Sequence, residues 1–197
     1  MGPGMENLLE IFNMTTSPID PVSEEAVRMD NWLQSVAEDR STMAELRCLL
    51  NPNLRQRGWA AISRIGGIGH EVRETVAGLF ALHPSVGKID DLPDNLGASC
   101  RRLRSTRQTG NREEPSEKKS DNSPLDARFR RLLSADRSEM RDILQNLFRN
   151  LKSESIPVNY RQLYIDLSYW GDRVRQKWAI QYWNNQPAQD DDAPVSE

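Results

Sequence analysis

A chain of 197 residues with 37% hydrophobic and 28% charged residues is long enough to bury a core and has a helix-rich composition. It contains no run near the roughly 20 apolar residues that a membrane-spanning helix requires, and residues 1–12 lack the features of a signal peptide. Cys48 and Cys100 are far apart and fit no metal-binding pattern, which predicts reduced thiols in a cytoplasmic protein.

The net charge of −3 hides a division of charge along the chain. Residues 98–183 carry 18 Lys and Arg against 11 Asp and Glu, whereas residues 1–97 carry 8 against 14. Of the 26 basic residues 21 are arginine, whose planar guanidinium suits phosphate oxygens. This asymmetry predicts a polyanion partner for one face, and a solvated helical surface with internal ion pairs fits the composition equally well.

The first half of the chain has helical periodicity and almost no strand signal. Ser23 precedes an acidic turn and predicts the start of a first helix, and Ser41 or Thr42 is the predicted cap of a second. Two further helices are predicted over Leu54–Ile65 and Glu71–Leu82.

The second half resumes the helical pattern after a polar stretch. Residues 106–123 contain no large apolar side chain and are predicted to be a mobile loop or linker. A helix from Pro124 follows, and a capping box of Asp136 and Glu139 predicts the start of the next. The apolar residues expected to be buried in that helix are Met140, Ile143, Leu144, Leu147, Phe148 and Leu151. Gly171 separates the last two predicted helices.

These patterns predict an all-α fold of two small helical bundles in sequence, joined by a polar linker. The predicted segments are an N-terminal extension at 1–22, an N-terminal bundle at 23–105, the linker at 106–123, a C-terminal bundle at 124–184 and a disordered acidic tail at 185–197. Residues 1–4, which precede Met5, fit a cloning remnant and a native start equally well.

The sequence shows no constellation that predicts an enzyme, a metal site or a cofactor. Neither of the two histidines has acidic or cysteine neighbours at metal-ligand spacing. Asp136, Asp166 and Asp172 could suggest a two-metal nuclease site, but Asp136 and Asp172 stand at predicted helix starts, where capping explains them better. The glycines within 66–69 lack the preceding strand and the Lys-Ser/Thr pair of a phosphate loop, so they predict a helix–helix turn.

Aromatic residues are dense in the last quarter of the chain. They are Tyr160, Tyr164, Tyr169, Trp170, Trp178, Tyr182 and Trp183. Their helical spacing beside Leu163 and Leu167 predicts core packing, and base stacking is the alternative. Trp183, near the predicted helix end, is the residue least expected to be buried.

Basic residues recur three or four positions apart in the second half, so that each pair shares a helix face opposite the buried stripe. The pairs are Arg128 and Arg131, Arg137 and Arg141, and Arg173 and Lys177. Arg101 and Arg104 share a face in the same way just before the predicted linker, and Arg101 and Arg102 are the predicted contacts there. Together these eight residues are the predicted nucleic-acid contacts, because neighbouring acids neutralise only some of them and guanidinium groups suit a phosphate backbone.

Three segments of the chain carry a recognisable pattern. They read NLGASCRRL at Asn95–Leu103, RFRRLLSADRSEM at Arg128–Met140 and LKSESIPVNYRQLYIDLSYWGDRVRQKWAIQYW at Leu151–Trp183. In this order they resemble the CasB family, the small subunits of the type I-E CRISPR effector Cascade. The N-terminal part agrees more loosely, and the likeness extends over residues 26–183.

The resemblance implies a non-catalytic subunit that is present in two copies and contacts the backbone and large subunits of the complex. It also implies binding to the guide RNA–target DNA hybrid and to the displaced single strand. The family's basic residues fall on Arg128, Arg137 and Arg173. Relatives often carry a basic residue where this chain has Ser134, so that contact is either missing or supplied by Arg130 or Arg131. The alternatives are a helical protein–protein adaptor, a generic single-strand binder and a helix-turn-helix regulator.

Overall fold

The computed structural model describes residues 20–85, 91–110 and 123–183, and within these ranges it contains helices and no strand. The helices are α1 Pro21–Val36, α2 Arg40–Cys48, α3 Trp59–Ser63, α4 Glu71–Leu82, α5 Leu96–Gly110, α6 Pro124–Ser134, α7 Arg137–Ser153, α8 Tyr160–Ser168 and α9 Asp172–Trp183. A 3₁₀ turn at Arg55–Gly58 precedes α3. The all-α prediction is confirmed, and the predicted tail and most of the predicted extension and linker lie outside the described residues.

The first two helices begin at aspartate caps that the sequence analysis missed. Asp20, rather than Ser23, caps α1, and its carboxylate accepts a backbone hydrogen bond from the first turn. Asp39 caps α2 by accepting hydrogen bonds from the backbone nitrogens of Ser41 and Thr42, at 3.0 and 3.2 Å. The prediction of Ser41 or Thr42 as the cap is therefore wrong, because a carboxylate just before the helix satisfies these two free N–H groups.

The capping box lies at the start of α6 and not at the start of α7. Ser123 Oγ accepts a hydrogen bond from the Asp126 nitrogen, and Asp126 Oδ2 accepts one from the Ser123 nitrogen, both at 3.1 Å. Asp136 does precede α7, as predicted, but its side chain makes no capping hydrogen bond and no box forms with Glu139.

The predicted helix over Leu54–Ile65 is a 3₁₀ turn followed by the short helix α3, which ends at Ser63. The chain then turns through Gly66 and Gly69, whose φ angles of 63° and 79° lie in the left-handed region that glycine tolerates. The nitrogen of Gly69 donates to Glu74 Oε1 at 2.9 Å, so the turn is tied to a buried carboxylate of α4. The predicted helix–helix turn is confirmed.

Helices from both sides of residues 111–122 share one hydrophobic cluster. Helix α1 packs on α8, α4 packs on α7 and α8, and α5 packs on α9. Helix α5 also continues to Gly110, so helical structure extends into the first residues of the predicted linker. The packing therefore joins the two halves, while the predicted domain boundaries stay a prediction.

A polar junction links the end of α4 to the segment before α8. The ring Nε2 of His83 donates to the carbonyl oxygen of Ile156 at 2.7 Å, and the hydroxyl of Tyr160 donates to the carbonyl oxygen of His83 at 2.5 Å. The nitrogen of Val158 donates to Ser85 Oγ at 3.0 Å. These buried groups satisfy one another, and so the C-terminal helices are held in a fixed register on α4.

Candidate functional site

The basic face predicted from the sequence begins on α6. Arg128 and Arg131 are exposed, while Leu125, Phe129 and Leu132 on the same helix are buried. The helical period produces this separation, because residues three or four apart share a face. Neither arginine forms an ion pair with any residue that the structure describes. Both guanidinium groups are therefore free to meet a ligand.

An open groove between α6 and α7 extends this face. The groove is lined by Arg128, Arg131, Ile143, Asn146, Arg149 and Asn150. Arg149 is exposed, and its Nη1 donates to Asn146 Oδ1 at 2.9 Å. The sequence analysis missed Arg149. Its spacing of three residues from Asn146 places both on one side of α7, but no local pattern shows that this side faces the arginines of α6.

Arg137 and Arg173 lie where two turns meet at one end of the C-terminal helices. The Nη2 of Arg137 donates to the carbonyl oxygen of Ser168 at 3.4 Å, which joins the start of α7 to the end of α8. The Nη2 of Arg175 donates to the carbonyl oxygen of Ala135 at 3.3 Å, which joins α9 to the turn before α7. Arg137 and Arg173 are both exposed. The segments Ala135–Arg137 and Trp170–Gly171 are thus neighbours in space.

Arg141 does not lie on the outward face where the sequence analysis placed it. Its side chain is only 14% exposed, and its Nη2 is 3.8 Å from Glu71 Oε1. Its Nε also donates to Thr75 Oγ1 at 3.4 Å. Because α4 packs against α7, the side of α7 that carries Arg141 faces Glu71 and Thr75 of α4. A contact between Arg141 and nucleic acid stays a prediction.

The three remaining predicted contacts lie on α5 and α9, which pack together. Arg102 and Lys177 are exposed, and Arg101 is half-buried with interactions of its own. The two helices approach each other closely at Gly97, where a Cβ atom would overlap the backbone carbonyl of Trp178. The structure thus brings Arg101, Arg102 and Lys177 onto one helix pair, beside the pair that carries the groove.

A buried carboxylate fixes the start of α6, the helix that carries Arg128 and Arg131. Asp126 accepts a hydrogen bond from the hydroxyl of Tyr182 at 2.6 Å, and Arg104 Nε lies 3.8 Å from the same oxygen. Burial opposes ionisation of Asp126, but the hydrogen bonds from Ser123 and Tyr182 and the charge of Arg104 outweigh it and hold its pKa below the usual range. Helix α6 is therefore anchored to α5 and α9 through an ionised group.

The aromatic residues of the last quarter mostly form core. Those that are buried are Tyr160, Tyr164, Trp178 and Tyr182, and the prediction of core packing is confirmed for them. It is wrong for Tyr169, which is 52% exposed and donates its hydroxyl to Asp20 at 2.7 Å. Trp170 and Trp183 are half-buried. The guanidinium of Arg175 lies over the Trp170 ring, 5.3 Å from its centroid.

Within the described ranges, no group of three or more His, Cys, Asp or Glu residues could hold a metal ion. Asp166 is buried and accepts hydrogen bonds from Trp178 Nε1 at 2.6 Å and Gln162 Nε2 at 2.9 Å. Asp172 pairs with Arg175 within α9. Two of the three carboxylates considered for a nuclease site therefore have structural partners. In the same part of the chain, the helices lack the length and apolar character needed to cross a membrane.

The family model of the CRISPR-associated protein Cse2 matches residues 43–183. A Cse2-family protein of Thermus thermophilus has the same fold, with a TM-score of 0.60 and 18% identity over 81% of this chain and 97% of that one. CasB from Thermus thermophilus gives 0.56 and 20% over 81% and 97%, and M. ruber CasB gives 0.58 and 20% over 80% and 93%. A comparison with curated protein sequences found no match. The resemblance to CasB is confirmed, and since the family model spans most of its length, the chain belongs to the CRISPR-associated Cse2 family.

Proposed function

We propose that this chain is the non-catalytic small subunit of a type I-E CRISPR surveillance complex, Cascade, in the cytoplasm. In this role it contacts the backbone and large subunits and a second copy of itself. It stabilises the guide RNA–target DNA hybrid and the displaced strand, which together form the R-loop. Membership in the Cse2 family supports the place of the chain in a CRISPR system.

The observation that carries the proposal is the set of exposed guanidinium groups on the C-terminal helices. Arg128 and Arg131 face Arg149 across the α6–α7 groove, while Arg137 at the start of α7 and Arg173 at the start of α9 lie where the turns meet. Arginine binds phosphate oxygens through its planar fork, and such contacts position a strand without reading its sequence. These residues form a path for a polynucleotide backbone.

This chemistry fits a step whose free energy is nearly balanced. In an R-loop the RNA–DNA hybrid is about as stable as the DNA duplex that it replaces, so contacts between protein and backbone can tip the exchange. Binding through phosphates releases counterions and therefore weakens as salt rises. We expect this chain to bind single strands with little sequence preference and with a steep dependence on salt.

Assembly tests the proposal first. The tagged chain is co-expressed with the neighbouring subunits and a guide RNA, purified after nuclease treatment, and weighed as an intact particle. Recovery of one large particle that contains this chain, with a mass that fits two copies, is the expected result. A chain that purifies alone from the same cells would contradict the proposal.

The adaptor alternative is separated by direct binding of the isolated chain to a fluorescent single strand at low and physiological salt. The proposal expects binding that falls steeply with salt, whereas an adaptor whose arginines meet acidic proteins binds no strand. A helix-turn-helix regulator would require strong sequence preference, which oligonucleotides of different sequence detect.

A further inference from the structure

The α6–α7 groove has features that a simple phosphate track does not need. Besides its three arginines it is lined by the half-buried Ile143 and by two asparagine amides. We propose that the groove holds one nucleotide of a single strand, with the phosphate against the arginines and the base turned inward toward Ile143. The inference rests on the proposed function and adds which part of the strand the groove accommodates, namely a single nucleotide.

The arginines supply the phosphate end of the subsite. Arg128 and Arg131 come from α6 and Arg149 comes from α7, so guanidinium groups approach the groove from both walls. The residues that line the groove include no carboxylate to neutralise them. Two or more guanidinium forks around one opening match the oxygens of a phosphodiester, which carries its charge on two atoms.

Asn146 supplies a hydrogen-bond donor for the base, and Asn150 holds the chain beside it. The Oδ1 of Asn146 accepts a hydrogen bond from Arg149, and the Oδ1 of Asn150 accepts one from Arg107 Nη2 at 2.9 Å. The Nδ2 of Asn150 donates to the carbonyl oxygen of Asn146. Asn146 lines the groove, and no hydrogen bond from its amide NH₂ is found within the described residues, so this group can donate to a base carbonyl or ring nitrogen.

The size and lining of the groove favour an unstacked base. It has a volume of about 460 Å³, which is within the range of roughly 300–1,000 Å³ for clefts that bind small molecules. Ile143 provides an apolar surface for the face of a base. Duplex bases are stacked and paired and cannot enter, so the subsite selects single strands, whose bases can splay out.

The test compares two strands of roughly 12 nucleotides, a length suited to single-strand binders. One is oligothymidylate and the other has the same backbone with abasic sugars, and fluorescence anisotropy gives the affinity of the full chain for each. Asn146→Ala should weaken binding of oligothymidylate about threefold to tenfold more than binding of the abasic strand, because both strands lose the partner that holds Arg149 but only oligothymidylate loses a hydrogen bond to its base. An equal effect on both strands, or none on either, would overturn the proposal.

Arg149→Ala should weaken binding of both strands and lower the slope of log affinity against log salt by about 0.7, the value for one phosphate contact on a single strand. Arg57→Ala, another exposed arginine, is the matched control and should change neither strand. Repeating the measurements with oligouridylate shows whether RNA and DNA are both accepted.

The variants separate this inference from the proposed function. If Arg149→Ala has no effect while reversal of Arg137 and Arg173, which lie outside the groove, weakens binding, the groove is not a subsite although the strand path stands. If Arg149→Ala leaves strand affinity unchanged and reduces incorporation of the chain into the complex, the groove is a protein contact and the inference is wrong. If the wild-type chain binds neither strand, both proposals fail.

Discussion

At Gly97 a single hydrogen atom in place of a side chain lets two helices meet. Asn95 Oδ1 accepts a hydrogen bond from the backbone nitrogen of Ala98 at the start of α5, and Leu96 is buried. Gly97 then lies against the backbone of Trp178 on α9. The Asn-Leu-Gly segment therefore supplies a helix start, a core contact and a close helix crossing in three consecutive residues.

We expect Gly97→Ala to lower the free energy of unfolding by about 1–3 kcal/mol, because the new methyl group overlaps a backbone carbonyl that cannot move alone. Urea unfolding followed by tryptophan fluorescence measures the change. Gly171→Ala is the matched control, since a Cβ atom there would meet only the carbonyl oxygen of Tyr169 at 3.7 Å, an ordinary contact. Equal stability of the two variants would show that the helix crossing at Gly97 accommodates the added methyl group.

His83 couples the stability of the fold to pH. Burial lowers the pKa of its imidazole, the hydrogen bond to Ile156 opposes this shift, and the charge of Lys152 adds to it. In the unfolded chain the ring takes up a proton near the ordinary histidine pKa of about 6.5. Below that pH the unfolded state binds more protons than the folded state, so acid favours unfolding.

The free energy of unfolding should therefore decrease as the pH is lowered from about 7.5 to about 5.5, the range in which a histidine ordinarily gains its proton. Urea titrations across this range measure the decrease. It should be smaller in His83→Gln and unchanged in His70→Gln, which alters an exposed histidine. The same decrease in His83→Gln as in the wild type would place the pH dependence elsewhere.

At the scale of the elements, α7 shows how well helical periodicity predicts which residues are buried. Its predicted stripe is buried at Met140, Leu144, Leu147, Phe148 and Leu151, but Ile143 is only half-buried, at the α6–α7 groove. The bounds of α4 also agree with the prediction. Both outcomes have a local cause, because residues three and four apart on one segment determine which side of a helix is apolar.

Caps and helix partners were harder to predict than periodicity. The choice between Asp39 and Ser41 depends on which side chain first reaches the free N–H groups, and several neighbours can do so. Arg141 is covered by α4, a helix distant in sequence. Arg149 faces α6 because of the way in which the two consecutive helices α6 and α7 pack. A spacing pattern reports the side of a helix on which a residue lies and not which helix covers that side.

Two fully buried residues of the C-terminal helices measure the strength of their packing. Leu144→Ala and Trp178→Ala should each lower the free energy of unfolding by about 2–5 kcal/mol, because each leaves a cavity. Trp178→Ala also leaves buried Asp166 without the donor at 2.6 Å. Chemical unfolding followed by circular dichroism measures both, with exposed Gln176→Ala as the control. Losses below about 1 kcal/mol would mean that these residues are not part of a tightly packed core.

At the scale of the whole molecule, the residues of the hydrophobic core and the basic residues are distributed differently along the sequence. Helices from both halves of the sequence contribute to one hydrophobic cluster, whereas the excess of basic residues lies in residues 98–183. The cluster holds the C-terminal helices against α4 and α5, and their outward sides carry the exposed arginines. Charge on the outward side can therefore be changed with little effect on the core.

Reversal of Arg128, Arg137 and Arg173 to glutamate should consequently leave the helical content and the unfolding transition of the chain near those of the wild type. All three residues are exposed, and the only side-chain hydrogen bond found for them within the described residues is that of Arg137 to Ser168. Circular dichroism and thermal unfolding verify this before any binding is measured. The matched control reverses Arg28, Arg40 and Arg57, three exposed arginines of the N-terminal half.

The measurement that tests the account most directly is target DNA binding by the assembled complex with each version of the chain, at physiological salt. Our proposal predicts that the complex with the Arg128, Arg137 and Arg173 reversals assembles normally but dissociates from target DNA faster, while the control complex matches the wild type. Unchanged R-loop lifetime with the reversed chain incorporated would contradict the proposal that these arginines hold the strand.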